Sequence, residues 1–226
     1  MTHVATAFLD EEVRVPATVD LSRFLRWARS DEFPERGRID FFDGSVEVDL
    51  SSEDLYTHGI VKVAIAAELH QLMTRTGLGN VFVDSTRVTE PESGLSVEPD
   101  VVVVSWDRIQ NGLVREVPAA GKGAGRYIEL EGAPDLVVEI VSDSSVGKDR
   151  TRLPKTYAKA GIPELWIVDA RGEDLVFDIH VLRDARYRRS SPRKDGWIPS
   201  PVLDKLLRLE RGLNELGRWQ YQLNVA

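Results

Sequence analysis

The sequence predicts an α/β fold, and three of its features favour that class. Four consecutive valines at 101–104 and the run LVVEIV at 136–141 lack polar alternation, which is typical of strands that are buried on both faces. Residues 57–76 carry apolar side chains at helical spacing. The pair Asp43-Gly44 lies between two short apolar segments, and a two-residue hairpin turn favours this pair because both turn positions need positive φ.

Each predicted helix begins or ends at residues with matching conformational preferences. Thr18 or Asp20 can cap the first helix, Gly77 can end the second, and Gly161 with Pro163 can end the third. In chain order the predicted elements are a helix at 15–28, strands at 38–42 and 45–50, a helix at 57–76, strands at 80–84, 101–104 and 136–141, a helix at 149–160, and strands at 165–168 and 175–182.

Two segments without a clear periodic pattern are predicted to be irregular. Residues 109–131, which contain Gly121, Gly123 and Gly125, are expected to form a surface loop, and residues 201–209 a short closing segment. The helix at 149–160 lies between two buried strands and predicts a right-handed crossover between parallel neighbours. A chain of 226 residues is expected to form one domain, with an N-terminal helix and hairpin at 1–56, a core at 57–170, and C-terminal strands with a closing segment at 171–226.

The composition excludes several classes of site. The sequence contains no cysteine, so disulfides, thiolate metal sites and a cysteine nucleophile are impossible. The first twelve residues lack a secretory signal pattern, and no apolar run approaches the roughly 20 residues that span a bilayer. We therefore expect a soluble protein without a membrane partner, and the lack of cysteine fits a reducing cytoplasm.

The overall charge argues mildly against a nucleic-acid partner, but two local runs are basic. The net charge is −8, whereas phosphate binding depends mainly on positive charge. Each basic run predicts either a phosphate-facing patch or a solvated face. The first run comprises Lys148, Arg150, Arg152, Lys155 and Lys159, and the second Arg183, Arg186, Arg188, Arg189, Arg193 and Lys194.

Glu139 is the residue that points most directly to chemistry. It lies within an apolar strand, where an ionised carboxylate is unfavourable unless it is paired, hydrogen-bonded or bound to a metal. Asp100 precedes the other apolar strand, so two carboxylates converge if these strands are neighbours. Mg²⁺ or Mn²⁺, which prefer oxygen ligands, would relieve their repulsion. The structural alternative is that Glu139 pairs with Arg150 or Lys148 and that Asp100 caps a turn.

Three blocks of the sequence resemble the signature blocks of the Uma-type bacterial proteins, which are classed with the PD-(D/E)XK restriction-endonuclease-like superfamily. The blocks are EPDVV at 98–102, PDLVVEIVSDSS at 134–145 and YAKAGIPELWIVD at 157–169. The hairpin around Asp43-Gly44 and His58 also resemble the N-terminal part of that family. The similarity extends from about residue 24 to residue 209, which is nearly the whole chain.

This resemblance implies one restriction-endonuclease-like domain whose core runs helix, three strands, helix, strand. It implies a central mixed sheet flanked by helices, with the N-terminal helix and β-hairpin as an extension. It also implies that Asp100 and Glu139 are catalytic metal ligands, and it makes His58 a further candidate for the site.

The lysine of the PD-(D/E)XK pattern is where this sequence departs from the family. The position two residues after Glu139 is Val141, and the position that the family uses on the following helix is Leu153. Lys148 lies on the loop that leaves the Glu139 strand and is the favoured substitute, because its side chain is long enough to reach back. Lys155 is the second candidate.

The predicted function is an endonuclease that uses Mg²⁺ or Mn²⁺ to hydrolyse phosphodiester bonds in DNA. One alternative is a catalytically silent nuclease-fold module that binds DNA or protein, which the leucine at 153 supports. Another is a metal-dependent hydrolase of a small phosphate ester. A homodimer is expected by analogy with nucleases that cut both strands.

Overall fold

Two six-stranded sheets and one three-stranded sheet make up the fold in the computed structural model, which describes residues 20–34 and 37–226. The helices are α1 (Leu21–Ala28), α2 (Ile60–Thr76), α3 (Trp106–Gln110) and α4 (Leu153–Lys159), and wide π-type turns at Leu55–Gly59 and Lys148–Arg152 lead into α2 and α4. The strands are β1 (Arg38–Phe42), β2 (Ser45–Asp49), β3 (Gly79–Val83), β4 (Arg87–Glu90), β5 (Leu95–Val97), β6 (Val101–Ser105), β7 (Val114–Pro118), β8 (Tyr127–Gly132), β9 (Leu136–Ile140), β10 (Glu164–Asp169), β11 (Val176–Arg183), β12 (Arg186–Arg189), β13 (Ile198–Ser200), β14 (Lys205–Leu213) and β15 (Trp219–Val225).

The ends of the helices follow the predicted caps where the structure describes them. Asp20 caps α1, since its carboxylate accepts a hydrogen bond of 2.8 Å from a backbone N–H of the first turn. Residues 15–19, including the other candidate Thr18, lie outside the described residues. Gly77 ends α2 with a φ of +65°, which a residue without a β-carbon adopts readily. No helix in the described part of the chain is long and apolar enough to cross a membrane.

The central sheet has the strand order β12-β11-β10-β9-β6-β3. Strands β9 and β10 are parallel neighbours, as the crossover through α4 predicts, while β6 runs antiparallel to β9. The elements α2, β3, β6, β9, α4 and β10 therefore follow the order helix, three strands, helix, strand. The predicted fold class and core order are confirmed.

A second mixed sheet covers one face of the central sheet, and the prediction missed most of it. Its order is β2-β1-β5-β4-β8-β7, so the predicted hairpin contributes only two of its six strands. The prediction of a surface loop at 109–131 is wrong, because this segment holds β7 and most of β8 and buries Val114 and Leu130. Strand β8 pairs with β4, some forty residues earlier in the chain, and such pairing leaves little local signal in either strand.

The C-terminal part forms a three-stranded antiparallel sheet instead of a short closing segment. Strand β14 runs for nine residues and pairs along its length with β15. The predicted segment at 201–209 stops in the middle of this strand. Leu207 and Leu209 are buried against α2 and the central sheet, so the C-terminal sheet completes the core on that side.

The central sheet separates two apolar cores, and this separation places Glu139. Side chains alternate along β9, so Val138 and Ile140 face α2 and the C-terminal sheet. Val137 faces the second sheet and α4, and alternation puts Glu139 on that same side. A carboxylate thus lies on the buried face where β1 and α4 meet the central sheet.

Candidate metal centre

The register between β6 and β9 brings the two predicted acids together. Val101 pairs with Val138 and Val102 with Val137. The next position on each strand sets Asp100 opposite Glu139, and residues opposite each other on antiparallel strands point their side chains to the same face, with Cα atoms about 4.5–5.5 Å apart. The condition on which the convergence of the two acids depends, that these strands are neighbours, is met.

Each of the two carboxylates has one oxygen held by the fold and one that faces a cation. Asp100 Oδ2 accepts a hydrogen bond of 2.7 Å from the backbone N–H of Ile140. Glu139 Oε1 accepts a hydrogen bond from the Tyr157 hydroxyl. The remaining oxygens, Asp100 Oδ1 and Glu139 Oε2, lie 3.5 Å and 3.1 Å from two nitrogens of the Arg38 guanidinium.

Arg38 is the partner of Glu139 that the sequence analysis missed. The structural alternative, which paired Glu139 with Arg150 or Lys148, is wrong: Arg150 donates instead to Asp169 at 2.6 Å, and the Lys148 ammonium contacts Asp40. That alternative also assigned Asp100 to the cap of a turn. This is wrong, because the Asp100 carboxylate accepts a hydrogen bond from the backbone of β9. The only signal for Arg38 is that it and Asp40 stand two residues apart and so share one face of β1.

His58 and two residues that the sequence analysis missed adjoin Asp100 at the start of α2. His58 is 4% exposed, with Nε2 3.5 Å from Asp100 Oδ2 and Nδ1 3.2 Å from Glu53 Oε2. Lys62 follows His58 by four residues and so lies on the same helical face. Its ammonium contacts Glu53 Oε1 at 2.9 Å and Asp100 Oδ1 at 3.5 Å. The four-residue spacing from His58 is the one sequence signal that could have identified Lys62.

The two lysine candidates occupy very different positions. Lys148 is buried, and its ammonium lies 3.2 Å from Asp40 Oδ2. Burial and the nearby Arg38 lower the pKa of Lys148, but the surrounding carboxylates outweigh them and hold its pKa above the ordinary lysine value. Lys148 is therefore a charged group at neutral pH and is poorly suited to act as a base. Lys155 is exposed on α4.

The surroundings push the pKa values of the two acids in opposite directions. Burial raises the pKa of Glu139 to about 8, with further upward contributions from Asp149 and Asp100 and a downward one from Arg38. Burial acts in the same direction on Asp100, but the adjacent His58 and Arg38 outweigh it and hold the pKa of Asp100 well below its usual value. Asp100 is thus the ionised member of the pair, and Glu139 needs more positive charge beside it to ionise at neutral pH.

The donor atoms around Asp100 fit a divalent cation. Glu53, His58 and Asp100 each offer one ligand atom, and these atoms lie within 4.8 Å of one another. The set combines carboxylate oxygens, which suit Mg²⁺ and Mn²⁺, with an imidazole nitrogen. The Nδ1 atom of His58 is buried and makes no hydrogen bond within the described part of the chain.

Two open cavities meet at Arg38, which lies in the wall of both. One has a volume of about 460 Å³ and is lined by Glu53, His58 and Asp100 among others. The other has a volume of about 620 Å³, and Lys148 lies in its wall. Asp100 and His58 are therefore reached from the first cavity, whereas Glu139 lines neither of the two.

The basic runs have different surroundings in the structure. Three members of the first run are engaged in ion pairs with carboxylates: Lys148 with Asp40, Arg150 with Asp169, and Arg152 with Glu47. The arginines of the second run that lie on β12 are exposed at the edge of the central sheet, and of these Arg189 pairs with Asp178 on β11. Strand β12 is three strands from β9, a lateral distance of about 14 Å at the usual strand spacing.

Comparison with known proteins identifies relatives at the level of family and fold. The sequence profile of a family described as "Uma2: Putative restriction endonuclease" matches residues 21–211. A solved structure described as a "putative nuclease belonging to DUF820" from Anabaena variabilis is similar, with a TM-score of 0.59 and 17% sequence identity over 82% of this chain and 91% of that chain. At this identity the likeness concerns the fold alone. No curated protein matches the chain.

Proposed function

The chain belongs to the Uma2 family, whose description is "Putative restriction endonuclease", and on that premise we propose that it is a metal-dependent endonuclease acting on DNA. One observation carries the proposal: Asp100 and Glu139 stand opposite each other on neighbouring strands, beside a buried histidine and an open cavity. Two acids in this arrangement match the acidic pair through which PD-(D/E)XK nucleases bind metal.

The residues have separate roles in this proposal. Asp100 and Glu139 would hold Mg²⁺ or Mn²⁺, and His58 would support Asp100 through the imidazole nitrogen that faces it. A cation bound there would lower the pKa of a coordinated water and neutralise charge on the phosphodiester. Lys148, which stays protonated, contributes positive charge toward the phosphate from the adjoining cavity.

Removing the metal tests this proposal directly. We expect the purified protein to cleave plasmid or oligonucleotide DNA with Mg²⁺ or Mn²⁺, and we expect excess EDTA to stop cleavage and re-added metal to restore it. Gel analysis of plasmid nicking and linearisation measures the effect. If a clean preparation neither cleaves DNA nor binds any of several divalent ions in calorimetry, the proposal fails.

His58 is expected to strengthen metal binding without being essential for the fold. Because one imidazole nitrogen faces Asp100, His58→Ala should weaken Mn²⁺ binding about 10–100-fold, the range usual for groups that support a metal site. His70→Ala is the matched control, since His70 is exposed on the same helix. Isothermal titration calorimetry measures both variants, and equal affinities for the two would contradict the role of His58.

A catalytically silent module that binds DNA or protein is the second candidate, and Leu153 favours it. This residue is fully buried in the core, so the position where the family carries its helix lysine holds an apolar side chain here. A silent module of this kind should bind DNA in a salt-sensitive way. The binding should persist in Glu139→Gln and weaken when Arg186 and Arg188 are neutralised. The homodimer and the cytoplasmic location stay predictions.

A further inference from the structure

The two carboxylate oxygens that make no hydrogen bond to the central sheet or α4 both face the same guanidinium, and Asp100 Oδ1 also lies 3.5 Å from the Lys62 ammonium. Asp100 Oδ2 and Glu139 Oε1 are held by hydrogen bonds within the core, whereas Asp100 Oδ1 and Glu139 Oε2 contact Arg38. These are the oxygens that a cation bridging the two strands would use. Arg38 comes from β1 in the other sheet, so a separate layer of the fold supplies this positive charge.

A divalent cation and this guanidinium cannot share the space between the two acids. Mg²⁺ draws its oxygen ligands to about 2.0–2.1 Å. The guanidinium nitrogens already lie 3.1 Å from Glu139 and 3.5 Å from Asp100. A cation bound to both oxygens would lie in contact with the guanidinium, where the two positive charges repel strongly in a partly buried site.

The surroundings of Arg38 allow its guanidinium to move away from the two acids. Its side chain is 22% exposed and lies in the wall of both cavities. The Nε atom lies 3.4 Å from Asp40 Oδ2 and makes no hydrogen bond within the described residues. Asp40 is on the same strand, so the guanidinium can keep this carboxylate while it swings toward the cavity that Lys148 lines.

We propose that Arg38 is a built-in occupant of the metal position, which contacts Asp100 Oδ1 and Glu139 Oε2 in the metal-free protein and must leave for a divalent cation to bridge them. The proposal rests on the proposed metal-binding role of these two acids. It makes Arg38 a positioning residue with opposite effects: it keeps the metal-free centre assembled and it weakens metal binding.

Mn²⁺ titrations of three variants test this competition by calorimetry. Arg38→Gln removes the competing charge and should bind Mn²⁺ at least about tenfold more tightly than the wild type, equivalent to about 1.4 kcal/mol. Arg152→Gln removes one positive charge from the wall of the cavity that Lys148 lines, at a side chain that is 43% exposed and pairs with Glu47, and its affinity should change by less than about threefold. Glu139→Gln should lose the tight binding, which shows that the measured site is the acidic pair.

Thermal unfolding gives a second readout that is independent of activity. Without metal, Arg38→Gln should unfold at a lower temperature than the wild type, because the buried Asp100 carboxylate loses a counter-charge and Glu139 loses a hydrogen-bond donor. Saturating Mn²⁺ should raise its unfolding temperature by more than it raises that of the wild type, since ligand stabilisation grows with affinity.

A measurement on the wild type covers the case in which Arg38→Gln fails to fold. The Nε–H signal of Arg38, assigned by comparison with Arg38→Lys, should shift in NMR spectra as Mg²⁺ is added, with the same midpoint as binding. An unmoved signal at saturating Mg²⁺ overturns the inference, as does an equal gain in affinity for Arg38→Gln and Arg152→Gln.

The failure of this inference is distinguishable from the failure of the proposed function. If Mn²⁺ binding needs Glu53 and His58 but is unaffected by Arg38→Gln, the cation sits on the α2 side with Arg38 in place, and only the inference falls. If neither the wild type nor any variant binds Mn²⁺ or Mg²⁺, both fall together.

Discussion

Replacing Glu139 with glutamine is expected to abolish DNA cleavage while the protein stays folded. The change leaves a side chain of the same size that cannot ionise, so no negative charge can form at the position of Oε2, the oxygen that faces the space between the strands. The amide oxygen can still accept the hydrogen bond that Tyr157 donates. Because changes to groups that merely support metal ligands cost 10–100-fold, loss of a ligand itself should reduce cleavage by more than about a hundredfold.

Glu164→Gln is the matched control for this prediction. Glu164 is also a fully buried strand glutamate, but its carboxylate accepts hydrogen bonds from Ser200 and Trp166. Cleavage rates of plasmid DNA should fall in Glu139→Gln and stay within about threefold of the wild type in Glu164→Gln, with circular dichroism confirming that both variants are folded. Undiminished cleavage by Glu139→Gln would remove this residue from the proposed mechanism.

Truncation of Trp166 to alanine is expected to have the largest effect on stability, a loss of about 3–5 kcal/mol in the free energy of unfolding. Trp166 is fully buried on β10 and packs edge-to-face against Phe177, with ring centroids 5.4 Å apart. Its indole N–H donates to Glu164 Oε1 at 2.7 Å, and the Ser200 hydroxyl donates to the same oxygen. The substitution therefore opens a cavity and also weakens the link between β10 and the C-terminal sheet.

Two control variants separate these contributions. Trp166→Phe keeps most of the ring volume and loses the N–H, so it should cost less than the alanine variant. Trp106→Ala removes a tryptophan that is 39% exposed and should cost less than about 1 kcal/mol. Urea unfolding followed by far-ultraviolet circular dichroism measures all three. A single transition is expected if the chain is one domain, and two separate transitions would contradict that prediction.

The sequence determined the central sheet and its two acids because both leave a local signal. A strand buried on both faces must be apolar along its whole length, and β6 and β9 can be identified on that basis alone. An acidic residue inside such an apolar run can be recognised from the sequence, whichever residues it contacts in the fold. The order of the core elements follows from these strands and from α2 and α4, whose ends are marked by Gly77 and Gly161.

The second sheet and the C-terminal sheet could not be predicted in this way. Strands β4, β5, β7 and β8 are short and only partly apolar, and they become strands by pairing with segments that are distant in the chain. Strand β14 extends past the point where its apolar alternation stops, because β15 supplies hydrogen-bonding partners along its full length. Pairing energy of this kind depends on the neighbour, which a local pattern does not contain.

The candidate metal centre, like the fold, could be predicted from the sequence only in part. The sequence determined that Asp100 and Glu139 need a partner, since the free-energy penalty of burying a carboxylate belongs to the residue itself. Only the tertiary structure decided which cation meets them: Arg38 lies 101 residues from Glu139, in a different sheet, and reaches it because that sheet packs against the central one. The need for a counter-charge can be inferred from a single position in the sequence. Which residue supplies that charge is determined by how distant segments pack in the fold.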